Sequence, residues 1–267
     1  MENNINIILT RHGRYNRTED IEKGGHITEQ GKKEIQQKTK ERVENIVGKN
    51  LPNTTFLVIG SPTHWLSKEY LGQRAKETEQ IIEQTIIEIL KQQGIETEEA
   101  SKIIYSKKEI YTRKSSIPIK KIANLIAEPN VYDEAPEYIK KLKLKYGGMT
   151  ESFWKELTTS EEAKQYNENA ETPSVLNRKI KHMLEYVIDW AKTYSKQNKR
   201  DICAILITHG ETMEPFLNNS KLRGEIGNID YNEGIVFEIK DNQIIVKTEN
   251  PKFVGPSKPL KIKEEVR

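Results

Sequence analysis

Two hydrophobic patterns alternate along the chain. Ile5-Asn6-Ile7-Ile8-Leu9 and the run from Ile202 to Ile207 are short and almost wholly apolar, as is Phe56-Leu57-Val58-Ile59, which ends at Gly60-Ser61-Pro62. Such runs predict strands buried on both faces, as in parallel sheets covered by helices. Lys102 to Ser106 and Asn124 to Ala127 are weaker runs of the same type. Between the runs the period lengthens to that of a helix. Thr28 to Val47 opens on Thr28 as N-cap, carries Ile35, Val43, Ile46 and Val47 on one side and stops at Gly48. Arg74 to Gln93 repeats Ile81, Ile82, Ile86, Ile89 and Leu90 before Gly94. A third long helix starts with Thr172 as N-cap and Pro173 as first helical residue, and stacks Leu176, Ile180, Met183, Leu184, Val187 and Trp190 on one stripe.

This alternation predicts the α/β class, a mostly parallel sheet with helices on both faces. Gly234 to Lys240 and Gln243 to Lys247 flank Asp241-Asn242, which predicts a closing antiparallel hairpin at one sheet edge. Residues 106–171 break the rhythm. They hold Lys107, Lys108, Arg113, Lys114, Lys120 and Lys121, read as a solvated face, then a helical stretch with Phe153, Trp154 and Leu157. No internal repeat or linker divides the chain. The expectation is one domain over residues 1–250, with about 107–171 as a variable helical insertion over the cleft and 251–267 as a surface tail.

A chain of 267 residues can bury a sizeable core without disulfides. Its one cysteine, Cys203, lies inside an apolar run and reads as a small buried hydrophobe, which fits a reducing compartment. The start lacks the basic and apolar segments of a secretory signal, and no run approaches a membrane span, so a cytoplasmic location without a membrane partner is expected. With 43 basic against 40 acidic residues, net charge makes no case for nucleic acid.

The candidate chemistry sits just past two of the apolar runs, at Leu9-Thr10-Arg11-His12-Gly13 and at Thr208-His209-Gly210. Open α/β sheets bind ligands outside the carboxyl ends of their strands, so neighbouring strands would aim both imidazoles into one cleft. Arginine offers a planar fork for phosphate oxygens, and glycine lets backbone approach closely. An unprotonated imidazole nitrogen, with the other nitrogen held by a backbone acceptor, is a nucleophile toward phosphorus.

The ordered set resembles the histidine phosphatase superfamily, the phosphoglycerate-mutase-like proteins. The resemblance rests on Leu9 to Gly13, Ile27-Thr28-Glu29-Gln30-Gly31, Ser61-Pro62, Arg74-Ala75-Lys76-Glu77-Thr78 and Thr208-His209-Gly210. It implies that His12 forms a phosphohistidine, that Arg11, Arg74 and His209 bind the transferred phosphate, and that a glutamate of the middle segment protonates the leaving oxygen. The pattern Ala127-Glu128-Pro129 selects Glu128, with Asp133 and Glu134 as rivals. Two features depart from the family. Thr63 to Gln73, with His64 and Trp65, is longer than the family's spacer, and Arg14, Asn16 and Arg17 follow Gly13 where another polar residue is usual. Of these, Arg17 is favoured over Arg14 as an added phosphate contact.

The resemblance therefore implies a metal-independent phosphatase, without cofactor, that acts on a small phosphorylated substrate. A phosphomutase would use the same four residues. A non-catalytic phosphate-binding module would keep the pocket without turnover, and a metal site at His12, His209 and a carboxylate is a further reading. Substrate and oligomeric state stay open.

Overall fold

The computed structural model describes residues 3–16, 24–62, 73–129, 136–147, 150–160, 171–219, 229–240, 243–249 and 259–260. Three buried strands form the centre: β1 (Ile5–Arg11), β2 (Thr54–Gly60) and β5 (Asp201–Thr208). They run parallel, with β5 between the other two. The far side of β1 carries an antiparallel extension of β6 (Gly234–Lys240), β7 (Gln243–Thr248) and β8 (Pro259–Leu260), so the sheet reads β2-β5-β1-β6-β7-β8. The expected hairpin is β6–β7. Of the expected tail only Pro259–Leu260 falls among the described residues, and it pairs with β7.

Successive strand side chains point to opposite faces, so each central strand feeds two cores. Ile7, Leu9, Leu57, Ile59, Ala204 and Leu206 share one. Ile8, Phe56, Val58, Cys203, Ile205 and Ile207 share the other. The first face is covered by α7 (Pro173–Asn198), whose stripe of Leu176, Ile180, Met183, Leu184, Val187 and Trp190 is buried throughout. Burial of such a side chain stabilises the fold by roughly 1.5–3 kcal/mol. α8 (Gly210–Asn219) adds Met213, Phe216 and Leu217 to that face. The second face is covered by α1 (Glu29–Arg42) and α2 (Arg74–Gln92) through Ile35, Ala75, Ile82, Ile86 and Leu90. Thr28 caps α1 by accepting from the Gly31 amide at 2.9 Å. The helix then widens into a π-helical turn, Val43–Val47, before Gly48 takes a left-handed φ of 57°.

Two weaker strand expectations are corrected. Lys102 to Ser106 begins in α3 (Thr97–Ile103); beyond the helix Ile104 makes an isolated bridge to Phe56, and the Tyr105 amide donates to the Phe56 carbonyl at 2.7 Å. Asn124 to Ala127 begins in α4 (Ile119–Leu125) and continues into a turn. The reason is periodicity. Ala100, Ile103 and Ile104, like Ile119, Ile122, Ala123 and Ile126, recur at helical intervals that a short apolar window conceals.

The middle segment divides physically. A hairpin of β3 (Glu109–Tyr111) and β4 (Ser116–Pro118), together with α4, buries Ile110, Ile117, Ile122 and Ile126 in the α7-side core. By contrast α5 (Pro136–Tyr146) and α6 (Glu151–Thr159) form a small core of their own, reaching α7 through Leu176.

Candidate active site

Strand register builds the site. Arg11 pairs with Thr208 and Gly60 with Ile207, so the residues that follow, His12, His209 and Ser61, emerge together at the carboxyl ends of β1, β5 and β2. The His12 amide donates to the Thr208 carbonyl at 2.9 Å and the Ser61 amide to the Ile207 carbonyl at 3.0 Å, which carries the ladder one step past the strands. The two imidazole centroids lie 5.1 Å apart, and both side chains are buried.

Both nitrogens of His12 are engaged. Nδ1 lies 2.8 Å from the Gly13 carbonyl oxygen, an acceptor only, so Nδ1 carries the proton. Nε2 then holds a lone pair and accepts from Arg74 Nε at 3.0 Å. Arg74 also donates through Nη2 to Glu128 Oε1 at 2.8 Å, a pair buried on both sides. One guanidinium therefore bridges the imidazole and the carboxylate. Arg74 sits in the first turn of α2, where Thr78 Oγ donates to its carbonyl at 2.7 Å and accepts from the Gly13 amide at 3.1 Å.

Glu128 reaches the site because the end of α4 is tied to β5 and α8. Thr208 Oγ donates to the Ile126 carbonyl at 2.5 Å and Thr212 Oγ to the Ala127 carbonyl at 2.8 Å. Arg11 packs its guanidinium over the Tyr231 ring at 4.2 Å, and a Cβ on Gly210 would come within 3.2 Å of its Cζ and Nε. A glycine after His209 makes room for that arginine.

Burial lowers the His12 pKa well below the ordinary histidine range, and Arg74, His209 and Arg11 push the same way against the Gly13 carbonyl. Burial and Arg74 lower His209 likewise. Both rings are neutral at pH 7. Among the described residues, Arg11 Nε, Arg74 Nη1 and Ser61 Oγ are buried without a hydrogen-bond partner beside the buried His209 ring. Leaving such groups unsatisfied is costly, so a cluster of them beside two guanidinium groups is suited to an anion that accepts several hydrogen bonds.

The structure thus brings Arg11, His12, Arg74, Glu128 and His209 into one cluster at the carboxyl ends of β1 and β5. Arg17, the rivals Asp133 and Glu134, and His64 and Trp65 of the long spacer lie outside the described residues. Arg14 is exposed, 3.4 Å from Glu34 and 5.4 Å from the Tyr231 ring. Three neighbours escaped the sequence reading. Tyr15 and Tyr231 flank the His12 ring at 5.3 and 5.7 Å, and Tyr15 also lies 4.6 Å under the Arg74 guanidinium. Tyr15, three residues after His12, carried a usable signal; Tyr231, almost the whole chain away, carried none. The third is Glu211 in the first turn of α8. Desolvation opposes its ionisation, but Lys143, Arg74 and Arg11 outweigh that and lower its pKa to about 2, so it stays ionised. Among the described residues no group of three or more His, Cys, Asp or Glu is placed to hold a metal ion. No described helix is long and apolar enough to cross a membrane.

No family model matches the sequence, and comparison with curated proteins gives no match. Among solved structures, phosphoglycerate mutase from Bacillus anthracis is similar at 13% identity and TM-score 0.47, over 92% of this chain and 93% of that one. A mycobacterial glucosyl-3-phosphoglycerate phosphatase in complex with inorganic phosphate gives 11% identity and TM-score 0.47, over 92% and 95% of the two chains. The YhfR protein of Bacillus stearothermophilus gives 12% and 0.46, over 92% and 96%. Likeness at that level carries no activity across.

Proposed function

We propose that the protein is a metal-independent phosphatase that hydrolyses a phosphomonoester through a phosphohistidine at His12. One observation carries the reading. His12 presents a neutral imidazole with Nδ1–H on the Gly13 carbonyl and the Nε2 lone pair turned to Arg74, amid buried donors without protein partners.

The chemistry follows from those positions. As the phosphate takes over the Arg74 guanidinium, Arg74 Nε–H leaves His12 Nε2, whose lone pair attacks phosphorus while the bond to the leaving oxygen breaks; Arg11, Arg74 and His209 hold the phosphoryl oxygens as charge spreads over them. Without ligand, Glu128 is paired to Arg74. A phosphate dianion would take over that guanidinium and set negative charge beside the carboxyl, and both changes favour its protonated form. Glu128 then gives its proton to the leaving oxygen. Water attacks the phosphohistidine, Glu128 takes the proton back, and inorganic phosphate leaves as Nε2 regains its lone pair.

The test is turnover of an aryl phosphate in excess chelator by wild type and His12→Ala. Turnover by wild type alone is expected. Equal rates for both proteins, or none for wild type, would remove the proposal.

A further inference from the structure

We infer that Arg42, clamped by Glu249, is a positioning residue that holds the end of β1 and the turn carrying Tyr231, and through them the anion-binding groups. Its relevance to turnover rests on the phosphatase reading; its effect on anion binding does not.

Arg42 ends α1 and is buried, as is its partner. Its Nε donates to Glu249 Oε1 and its Nη2 to Glu249 Oε2, both at 2.7 Å, a fork that joins residues 207 apart in sequence. The same Nη2 donates to Thr10 Oγ at 2.8 Å and to the Asn232 carbonyl at 2.7 Å. These targets adjoin the site. Thr10 immediately precedes Arg11 and His12, and its hydroxyl donates to the Glu233 carbonyl at 2.9 Å, an oxygen that also accepts from the Arg11 amide at 3.0 Å. Asn232 follows Tyr231, the ring under Arg11, and its amide points to the His12 carbonyl at 3.4 Å. Asn232 has a φ of 61°, a left-handed backbone that asparagine tolerates better than most residues but that needs holding by its surroundings.

A groove of about 390 Å³ opens beside this pair, lined in part by Lys38, Glu41, Glu238 and Lys247. Its charges compensate one another, Lys38 with Glu41 and Lys247 with Glu238, so it asks for no ligand. The pair's consequence lies in what it joins: one guanidinium ties the end of β1 to the turn carrying Tyr231. Lysine could not replace it, having no planar fork to serve a carboxylate, a hydroxyl and a carbonyl together.

Removing one partner would strand a buried charge, whereas replacing both with apolar residues of similar volume is often tolerated. The test therefore uses the full chain with Arg42→Met/Glu249→Leu and, as a milder cut, Thr10→Val, which removes only the hydroxyl. Three quantities are read: the thermal midpoint, the Kd of inorganic phosphate by calorimetry, and kcat and KM on an aryl phosphate. Both variants are expected to unfold as cooperatively as wild type, with phosphate Kd raised at least fivefold and KM raised more than kcat falls. Wild-type phosphate affinity in either folded variant would overturn the inference, since a merely structural pair would lower the midpoint and leave the folded protein's affinity alone. Should the double variant not fold, Thr10→Val decides by itself. A wild type that binds phosphate without turning over the ester would count against the phosphatase reading while the affinity comparison still judged Arg42.

Discussion

Arg74 Nε donates to His12 Nε2 at 3.0 Å while the same guanidinium grips Glu128 at 2.8 Å, so the intended nucleophile and acid are held by one side chain. A lysine there has a single ammonium and cannot span both positions in a plane. Arg74→Lys should lower kcat/KM by roughly 100-fold or more, the scale on which a preorganised donor contributes to such a step. Kinetics on an aryl phosphate check this, and a change under threefold would speak against the bridging role.

Glu128 and Glu211 both lie near the Arg74 guanidinium, but their proposed duties differ. If Glu128 donates the proton, Glu128→Gln should slow an alkyl phosphate, whose leaving oxygen needs protonation, by about 10²–10⁴ while sparing a nitrophenyl ester. Glu211 stays ionised and has no proton to give near neutral pH. Glu211→Gln should therefore slow both esters by a similar factor. The ratio of the two rates in each variant is the measurement.

Thr212 offers a gentler way to displace Glu128. Its hydroxyl is the donor to the Ala127 carbonyl, next to the acid in sequence. Thr212→Val keeps the volume and leaves that carbonyl short of a partner, at a cost of about 1–3 kcal/mol. The midpoint of urea unfolding should drop accordingly, and alkyl-phosphate turnover should fall more than nitrophenyl-phosphate turnover. Thr212→Ser should restore both.

The two buried histidines make stability depend on pH. Both have pKa values depressed by burial, so below about pH 6.5 the unfolded chain takes up protons that the folded chain refuses. Stability from these groups is therefore full above that pH and falls as pH drops below it, by up to about 1.4 kcal/mol per histidine per pH unit. Urea unfolding of wild type at pH 7, 6 and 5 should show this slope, and His12→Asn/His209→Asn should flatten it. Equal slopes would contradict the depressed values.

The strands and long helices were legible because their signals are local. Continuous apolar runs gave the strands at Ile5, Phe56 and Ile202, and Thr28 and Thr172 marked helix starts that the structure uses as side-chain caps. The site was partly legible for the same reason, since Arg11-His12-Gly13 and Thr208-His209-Gly210 each continue a strand. The runs at Lys102 and Asn124 misled because four or five residues cannot separate a strand from one buried side of a short helix. Tyr231 and Arg42 were out of reach for a different reason. Each acts through partners that only the fold brings near, Arg11 for the first and Glu249 for the second, and no spacing records such a meeting.

The central claim is a covalent bond between His12 and phosphorus. Rapid quench of wild type with a labelled aryl phosphate, followed by peptide mapping, tests it directly. One acid-labile, base-stable phosphoryl group is expected on the peptide containing His12, formed and lost at rates compatible with turnover, and absent from His12→Ala. Turnover by wild type with no label on that peptide at any time, or full activity in His12→Ala, would contradict it.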